Sequence, residues 1–330
     1  MPLSRSKFNE IIVDAIRRSG WSEVYLGRLS AHPFRVGAVS GDKSRSLAVY
    51  SWSVTHGGAS RSANEFRIQV QVTEFVILPD VQTLVLGWWS EAGLFAAFDI
   101  QKHHGKLGNN ASIQVSRATL NAAVLNGLAV QTGKGNQEVV AAFRPEYFMT
   151  YVENMDHIHN FGTSSAAIDA LIQALDPAIA PTQIPVGALS AERQLVIQTV
   201  RKRVREANFR EKVLRAYDHE CAMCNIQLEL VDAAHIVPVA APASTDDTDN
   251  GMALCALHHR AYDAALVTVN ADYSIAVSDA EIGRLRGIGH HGGLDEFVDG
   301  LRDIINVPPN VHDRPRPEYL NRGKTIRGWR

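Results

Sequence analysis

The chain has three cysteines, all between positions 221 and 255. Cys221-Ala222-Met223-Cys224 is a C-x-x-C pair, and Cys255-Ala256-Leu257-His258 repeats the spacing with an imidazole in second place. Two knuckles of this kind supply three thiolates and one nitrogen, the donor set of a closed tetrahedral zinc site. Zinc held there contributes folding energy to a small domain. Three unrelated buried cysteines and a redox C-x-x-C are the competing readings. Against them, every cysteine falls into the pattern, and a fourth ligand stands where the spacing needs it.

Between the knuckles runs Val231-Asp232-Ala233-Ala234-His235-Ile236-Val237-Pro238, then an acidic loop, Asp246-Asp247-Thr248-Asp249, then Asn250-Gly251. After the second knuckle comes His259-Arg260-Ala261-Tyr262-Asp263. His235, Asn250 and His259 thus follow in order through a zinc knuckle pair. Over roughly residues 205–275 the chain resembles the HNH nuclease family, whose core is the ββα-metal fold, in its restriction-type branch.

The resemblance implies hydrolysis of phosphodiester bonds in double-stranded DNA. That chemistry needs an activated water and neutralisation of the charge developing on phosphate and leaving oxygen. The family gives its first His the role of general base, here His235. Asn250 matches the middle Asn, which shapes the loop and orients that His. The family's divalent ion, Mg²⁺ or Mn²⁺, is held by the last His and a further His or carboxylate, which His259 and Asp263 match. Four residues apart, these two share one helix face. His258 and His259 point about 100° apart on a helix, so one can serve zinc and the other the second ion. One departure stands out. Many family members carry Asp immediately before the first His, where this chain has Ala234. Asp232 is a further candidate ligand, although alternation puts it on the opposite strand face from His235. Arg260 is a candidate phosphate clamp. The basic tail, Arg314, Arg316, Arg322, Lys324, Arg327 and Arg330, reads equally as a DNA-lying segment or a solvated terminus.

The elements that position these residues lie in the last third. Ser190 caps a long helix whose residues 191–216 carry eight basic side chains against three acidic ones. Arg201, Lys202, Arg203 and Arg205 on it are candidate DNA contacts, with a solvated helix face as the plain alternative. A hairpin fits 265–277 and a helix 294–305. Before the helix, residues 161–189 hold Pro177, Pro181 and Pro185 among alanines, which reads as a linker interrupted by one short helix at 165–175. Residues 1–160 read as a β-rich α+β domain. It opens with an amphipathic helix at 4–18 capped by Ser4, and includes a strictly alternating strand at 66–72 and a helix at 117–126 ending at Gly127. The fold class is therefore α+β: a 1–160 DNA-recognition domain, a linker, and a 190–330 nuclease domain. Trp21, Trp52, Trp88 and Trp89 lie in the first half, where an aromatic pocket could receive a flipped base. Core packing is the favoured reading for Trp52. Asp99 and the loop from Gln101 to Asn110 are candidate nucleic-acid contacts.

Composition narrows the classes. The chain has 330 residues, 45% of them hydrophobic and 21% charged, with net charge −2, so a DNA surface has to be a local cluster. No run of 18 apolar residues and no apolar leader core occurs, and the cysteine count is odd. A cytoplasmic protein without membrane partners is expected. The function expected is a metal-dependent DNA endonuclease of restriction or phage defence, with modification-dependent cutting and a homodimer as open options. Two rivals remain: an HNH nuclease whose first half senses a protein or small-molecule signal, and a zinc-stapled DNA-binding protein without catalysis.

Overall fold

Hydrophobic alternation along the strands of the first half sorts side chains to two opposite faces, and a computed structural model shows a core on each. The structure describes residues 3–27, 32–58, 61–103, 105, 107–108, 111–132, 137–162, 164–176, 178–242 and 244–329. Asn110, Pro177 and Arg330, named above, lie outside them, as do positions 104, 106 and 109 of the loop from Gln101 to Asn110. The chain divides into two compact units, Met1–Ala207 and Asn208–Arg330.

The first unit begins with α1 (Arg5–Arg18), whose N-cap Ser4 accepts a hydrogen bond from the Lys7 amide. There follow β1 (Ser22–Tyr25), β2 (Phe34–Ser40), β3 (Lys43–Ser53), β4 (Thr55–His56), β5 (Glu65–Gln69), β6 (Gln82–Trp89), β7 (Leu94–Phe98) and β8 (Ser112–Ser116). Then come α2 (Arg117–Asn126), β9 (Leu128–Thr132), β10 (Val139–Phe143), α3 (Phe148–His159), α4 (Ser165–Leu175) and α5 (Ala191–Ala216). A seven-stranded sheet runs β1-β2-β3-β6-β7-β10-β9, with β3 and β6 parallel, and β4-β5-β8 form a smaller sheet. Both faces of the large sheet are buried. Leu47, Val49, Leu84, Leu86, Ala141 and Phe143 point to a core shared with α1, α3, α4 and the first part of α5. Tyr50, Trp52, Val85, Val140 and Ala142 point to a second core closed by α2 and by Phe66, Ile68, Ile113 and Val115 of the small sheet.

The linker expectation is corrected here. Residues 161–189 hold α4, and Ala167, Ala170, Leu171 and Ala174 bury themselves in the first core. Alanine and leucine at helical spacing bury a face even where charge is scarce. The units part within α5 instead, at 207/208. Arg201, Lys202, Arg203 and Arg205 therefore belong to the first unit.

In the second unit, the α5 residues Phe209, Val213 and Leu214 pack with β11 (Val231–His235), β12 (Gly251–Cys255) and α6 (Ala256–Asp263). The hairpin β13 (Val267–Val269) and β14 (Ile275–Val277) follows, then α7 (Asp279–Gly287), α8 (Leu294–Asp299) and α9 (Pro317–Ile326). Neither α7 nor α8 contributes a buried residue. The expected helix at 294–305 stops at Asp299, because Gly300 follows and the chain from 303 turns to pair with Ser274 and Ile275.

Candidate active site

Antiparallel pairing of β11 with β12 sets His235 opposite Gly251 and Val231 opposite Cys255. One end of this ribbon thus carries His235 and the loop that joins the two strands, and the other carries the second knuckle. Cys255 is the N-cap of α6, so the second knuckle forms where strand turns into helix.

Cys221, Cys224, Cys255 and His258 are all buried, and their ligand atoms lie within 4.8 Å of one another. His258 Nδ1 is 3.4 Å from Cys221 Sγ and 3.3 Å from Cys255 Sγ, and the Cys224 and Cys255 sulfurs are 4.0 Å apart. A tetrahedron with arms of about 2.3 Å has edges of about 3.8 Å, so the quartet fits one zinc ion. A 4.0 Å separation also excludes a disulfide between Cys224 and Cys255. Burial pushes the Cys221 thiol up to about 12 and raises Cys224 as well. The same burial lowers His258, favouring the neutral imidazole that ligates.

His235 is held on three sides. Its ring stacks on Phe209 with centroids 3.6 Å apart and planes 14° from parallel. Its Nε2 lies 3.2 Å from Asp246 Oδ1. A carboxylate only accepts, so this contact puts the proton on Nε2 and leaves Nδ1 as the basic atom. The backbone carbonyl of His235 accepts from Arg327 Nη2 at 3.0 Å.

Asn250 is fully buried and acts as a hub. Its Oδ1 accepts from the Val237 amide at 2.9 Å, while Nδ2 donates to the Thr245 carbonyl at 2.8 Å. Its own carbonyl accepts from the Ile236 amide at 2.9 Å. Both strands of the loop between His235 and Gly251 are therefore tied to one amide. Gly251 permits the helix to come close: a Cβ there would stand 2.4 Å from Val213 Cγ2.

On α6, His259 Nε2 and Asp263 Oδ2 lie 3.7 Å apart, both partly open to solvent. Arg260 on the same helix is exposed. Asp232 stands away from this pair. It is held by Arg210 at 2.8 Å, on the strand face opposite His235.

The C-terminal segment supplies what sequence reasoning missed. Arg327 is one-tenth exposed, lies 4.1 Å above the Tyr262 ring, donates to the carbonyls of both His235 and Ile236, and reaches Asp263 Oδ1 at 3.5 Å. Gly323 lets α9 dock here, since a Cβ would fall 2.5 Å from the Ile236 carbonyl oxygen. Arg314 donates to Pro308, Arg316 pairs with buried Asp249, Arg322 donates to Pro242 and Lys324 to Asn270. Expected as DNA-lying or solvated, the tail is instead a clasp on the second unit.

The remaining candidates lie in the first unit. Arg201 is half-buried and donates to the Ile179 carbonyl, while Lys202 and Arg203 pair with Glu206. Arg205 is exposed. Trp52 and Trp89 are buried in the second core, and Trp21 and Trp88 are half-buried against the first, so the tryptophans serve packing. Asp99 is buried, capping Gln101, and its amide donates to Glu138.

Two family models match the sequence: Methylase-associated X1 over residues 45–152 and HNH endonuclease over residues 221–270. No curated protein matches it. Among solved structures, a Modification dependent TagI restriction endonuclease aligns at 9% identity with a TM-score of 0.28, covering 86% of this chain and 81% of that one. At that score the alignment carries no argument.

Proposed function

We propose that this chain, an endonuclease by its HNH domain at residues 221–270, hydrolyses double-stranded DNA with a divalent cation at targets chosen by its first unit. The observation that carries the reading is His235, oriented by Asp246 and Phe209, on the same small framework as the His259–Asp263 pair. His235 Nδ1 takes the proton of the attacking water, and the Asp246 carboxylate stabilises the imidazolium that forms. His259 and Asp263 would hold Mg²⁺ or Mn²⁺, which supplies positive charge to the phosphate and leaving oxygen. Their donor set of one imidazole and one carboxylate suits such an ion, with water and phosphate completing the shell. Zinc in the Cys221, Cys224, Cys255 and His258 quartet would be structural. Asp232, paired with Arg210, is left out of the metal site. Arg260 is the phosphate contact on α6, and Lys202, Arg203 and Arg205 are sequence-blind contacts.

We read the Methylase-associated X1 match at 45–152 as support for a restriction role beside a methylase, in the cytoplasm and against phage. No helix among the described residues is long and apolar enough to cross a membrane. The test is digestion of methylated, hydroxymethylated and unmodified duplexes side by side, with Mg²⁺, Mn²⁺ or neither. Cutting is expected only with added cation and at unequal rates across the three substrates. Equal rates would remove modification dependence; no cutting of any duplex under any cation would remove the nuclease reading.

Arg327 is a positioning residue in this scheme. A displacement of about 1 Å at a reacting group can cost about 10²-fold in rate. Arg327→Ala, which frees the carbonyls of His235 and Ile236, is expected to lower kcat by that order with KM little changed. Single-turnover kinetics check it. An unchanged kcat would reduce the clasp to a stability device.

A further inference from the structure

The large sheet is covered on both faces, whereas the small sheet β4-β5-β8 is covered on one. Phe66, Ile68, Ile113 and Val115 point into the second core. The alternate residues, Glu65, Arg67 and Gln69 on β5 and Ser112, Gln114 and Ser116 on β8, are all polar. Arg67 pairs in register with Thr55 on one side and Gln114 on the other, and Gln69 pairs with Ser112. Glu65 is the one acidic member, and it is neutralised by Arg61 and accepts from Gln114 Nε2 at 3.0 Å. Arg61 flanks the row and is exposed.

We infer that this outward face, centred on Arg67, Gln69 and Gln114, reads base edges of duplex DNA in the major groove; the inference rests on the proposed nuclease function. Guanidinium and carboxamide groups are the side chains whose paired donors and acceptors match guanine and adenine edges there. An ordinary solvated sheet face needs no such selection, and any polar side chain satisfies it. The dimensions agree. The major groove, about 12 Å wide, admits a two-stranded ribbon, and β5 and β8, the central pair of this face, lie about 4.8 Å apart. Same-face residues on one strand, such as Arg67 and Gln69, are about 7 Å apart, close to two base-pair steps of about 3.4 Å. The excess of Arg61 and Arg67 over Glu65 gives the face the positive sign a polyanion requires. All three strands fall within the Methylase-associated X1 match, so the face belongs to the module paired with the nuclease.

The experiment selects bound sequences from randomised duplexes, plain and cytosine-methylated, using the full-length chain without added divalent cation. Wild type is expected to enrich a preferred sequence. Arg67→Ala, Gln69→Ala and Gln114→Ala should each relax preference at one base position by about tenfold or more, with the melting temperature unchanged because the side chains face outward. Arg67→Lys keeps the charge but loses the guanidinium fork. It should keep affinity at low salt and still lose the preference at that position. Variants that enrich the wild-type sequence as strongly as wild type overturn the inference. So does a uniform loss of affinity with preference intact, which would make the face a phosphate contact. A wild type that cuts selectively while all variants stay selective sinks this face alone. A wild type that neither binds nor cuts any duplex sinks the nuclease reading beneath it.

Discussion

Replacing His235 by alanine is expected to lower DNA cleavage by about 10²–10⁴-fold, the usual contribution of a general base, while DNA affinity and melting temperature hold. The ring is fixed in plane by Phe209 and in tautomer by Asp246, so little of its effect can be taken over by another group. It is partly buried, with its side chain 16% exposed, and removing it leaves the β11–β12 pairing untouched. Cleavage assays on plasmid DNA, with a binding assay in parallel, check the separation. Near-normal cutting by the alanine variant would take His235 out of the mechanism and leave the His259–Asp263 pair to activate water by itself.

Substituting Cys224 by serine is expected to release zinc and unfold the second unit cooperatively, with the first unit still folded. The second unit has two two-stranded sheets, and neither α7 nor α8 has a fully buried residue. Small isolated ribbons are marginal in water, so a zinc crosslink between the two knuckles would add to the core that joins β11, β12 and α6. Structural zinc contributes on the order of 10 kcal/mol in small domains, comparable with the whole stability of an ordinary domain. Elemental analysis of the full chain should give one zinc for wild type and a loss for the variant. Denaturant unfolding should then show the second-unit transition vanish at neutral pH. Freshly purified wild type that lacks zinc yet unfolds in the normal two steps would falsify the assignment.

The metal quartet was legible because each knuckle is a local pattern, and thiolate and imidazole donors three apart carry their own geometry. The order of His235, Asn250, His259 and Asp263 was legible as a candidate set for a similar reason, since strand and helix follow one another closely in the chain. Arg327 was not. It contacts the His235 carbonyl from 92 residues away, and a basic tail has the same composition whether it is solvated or docked. Phe209 was equally silent, as one apolar residue in a helix whose basic pattern spoke louder. The misread linker has a different cause. Proline and alanine scarcity of charge marks a loop only when no apolar spacing underlies it, and Ala167, Ala170, Leu171 and Ala174 form such a spacing. The tryptophans suggested a base pocket because aromatic residues serve both packing and stacking, and burial alone distinguishes the two.

Asn250 followed by Gly251 also bears on how the protein ages. An asparagine before glycine deamidates readily: the glycine nitrogen attacks the side-chain amide carbon, ammonia leaves, and the cyclic imide opens to aspartate or isoaspartate. No Cβ hinders the attack. In the folded chain the Gly251 amide donates to the Thr248 carbonyl, and both atoms of the Asn250 amide are bonded in the loop. An aspartate at 250 would accept from Val237 but offer nothing to the Thr245 carbonyl. Hydrolysis of the imide needs water and its formation needs the turn to open, so the rate of this ageing reaction at residue 250 follows how often the turn opens at the point where the loop is tied.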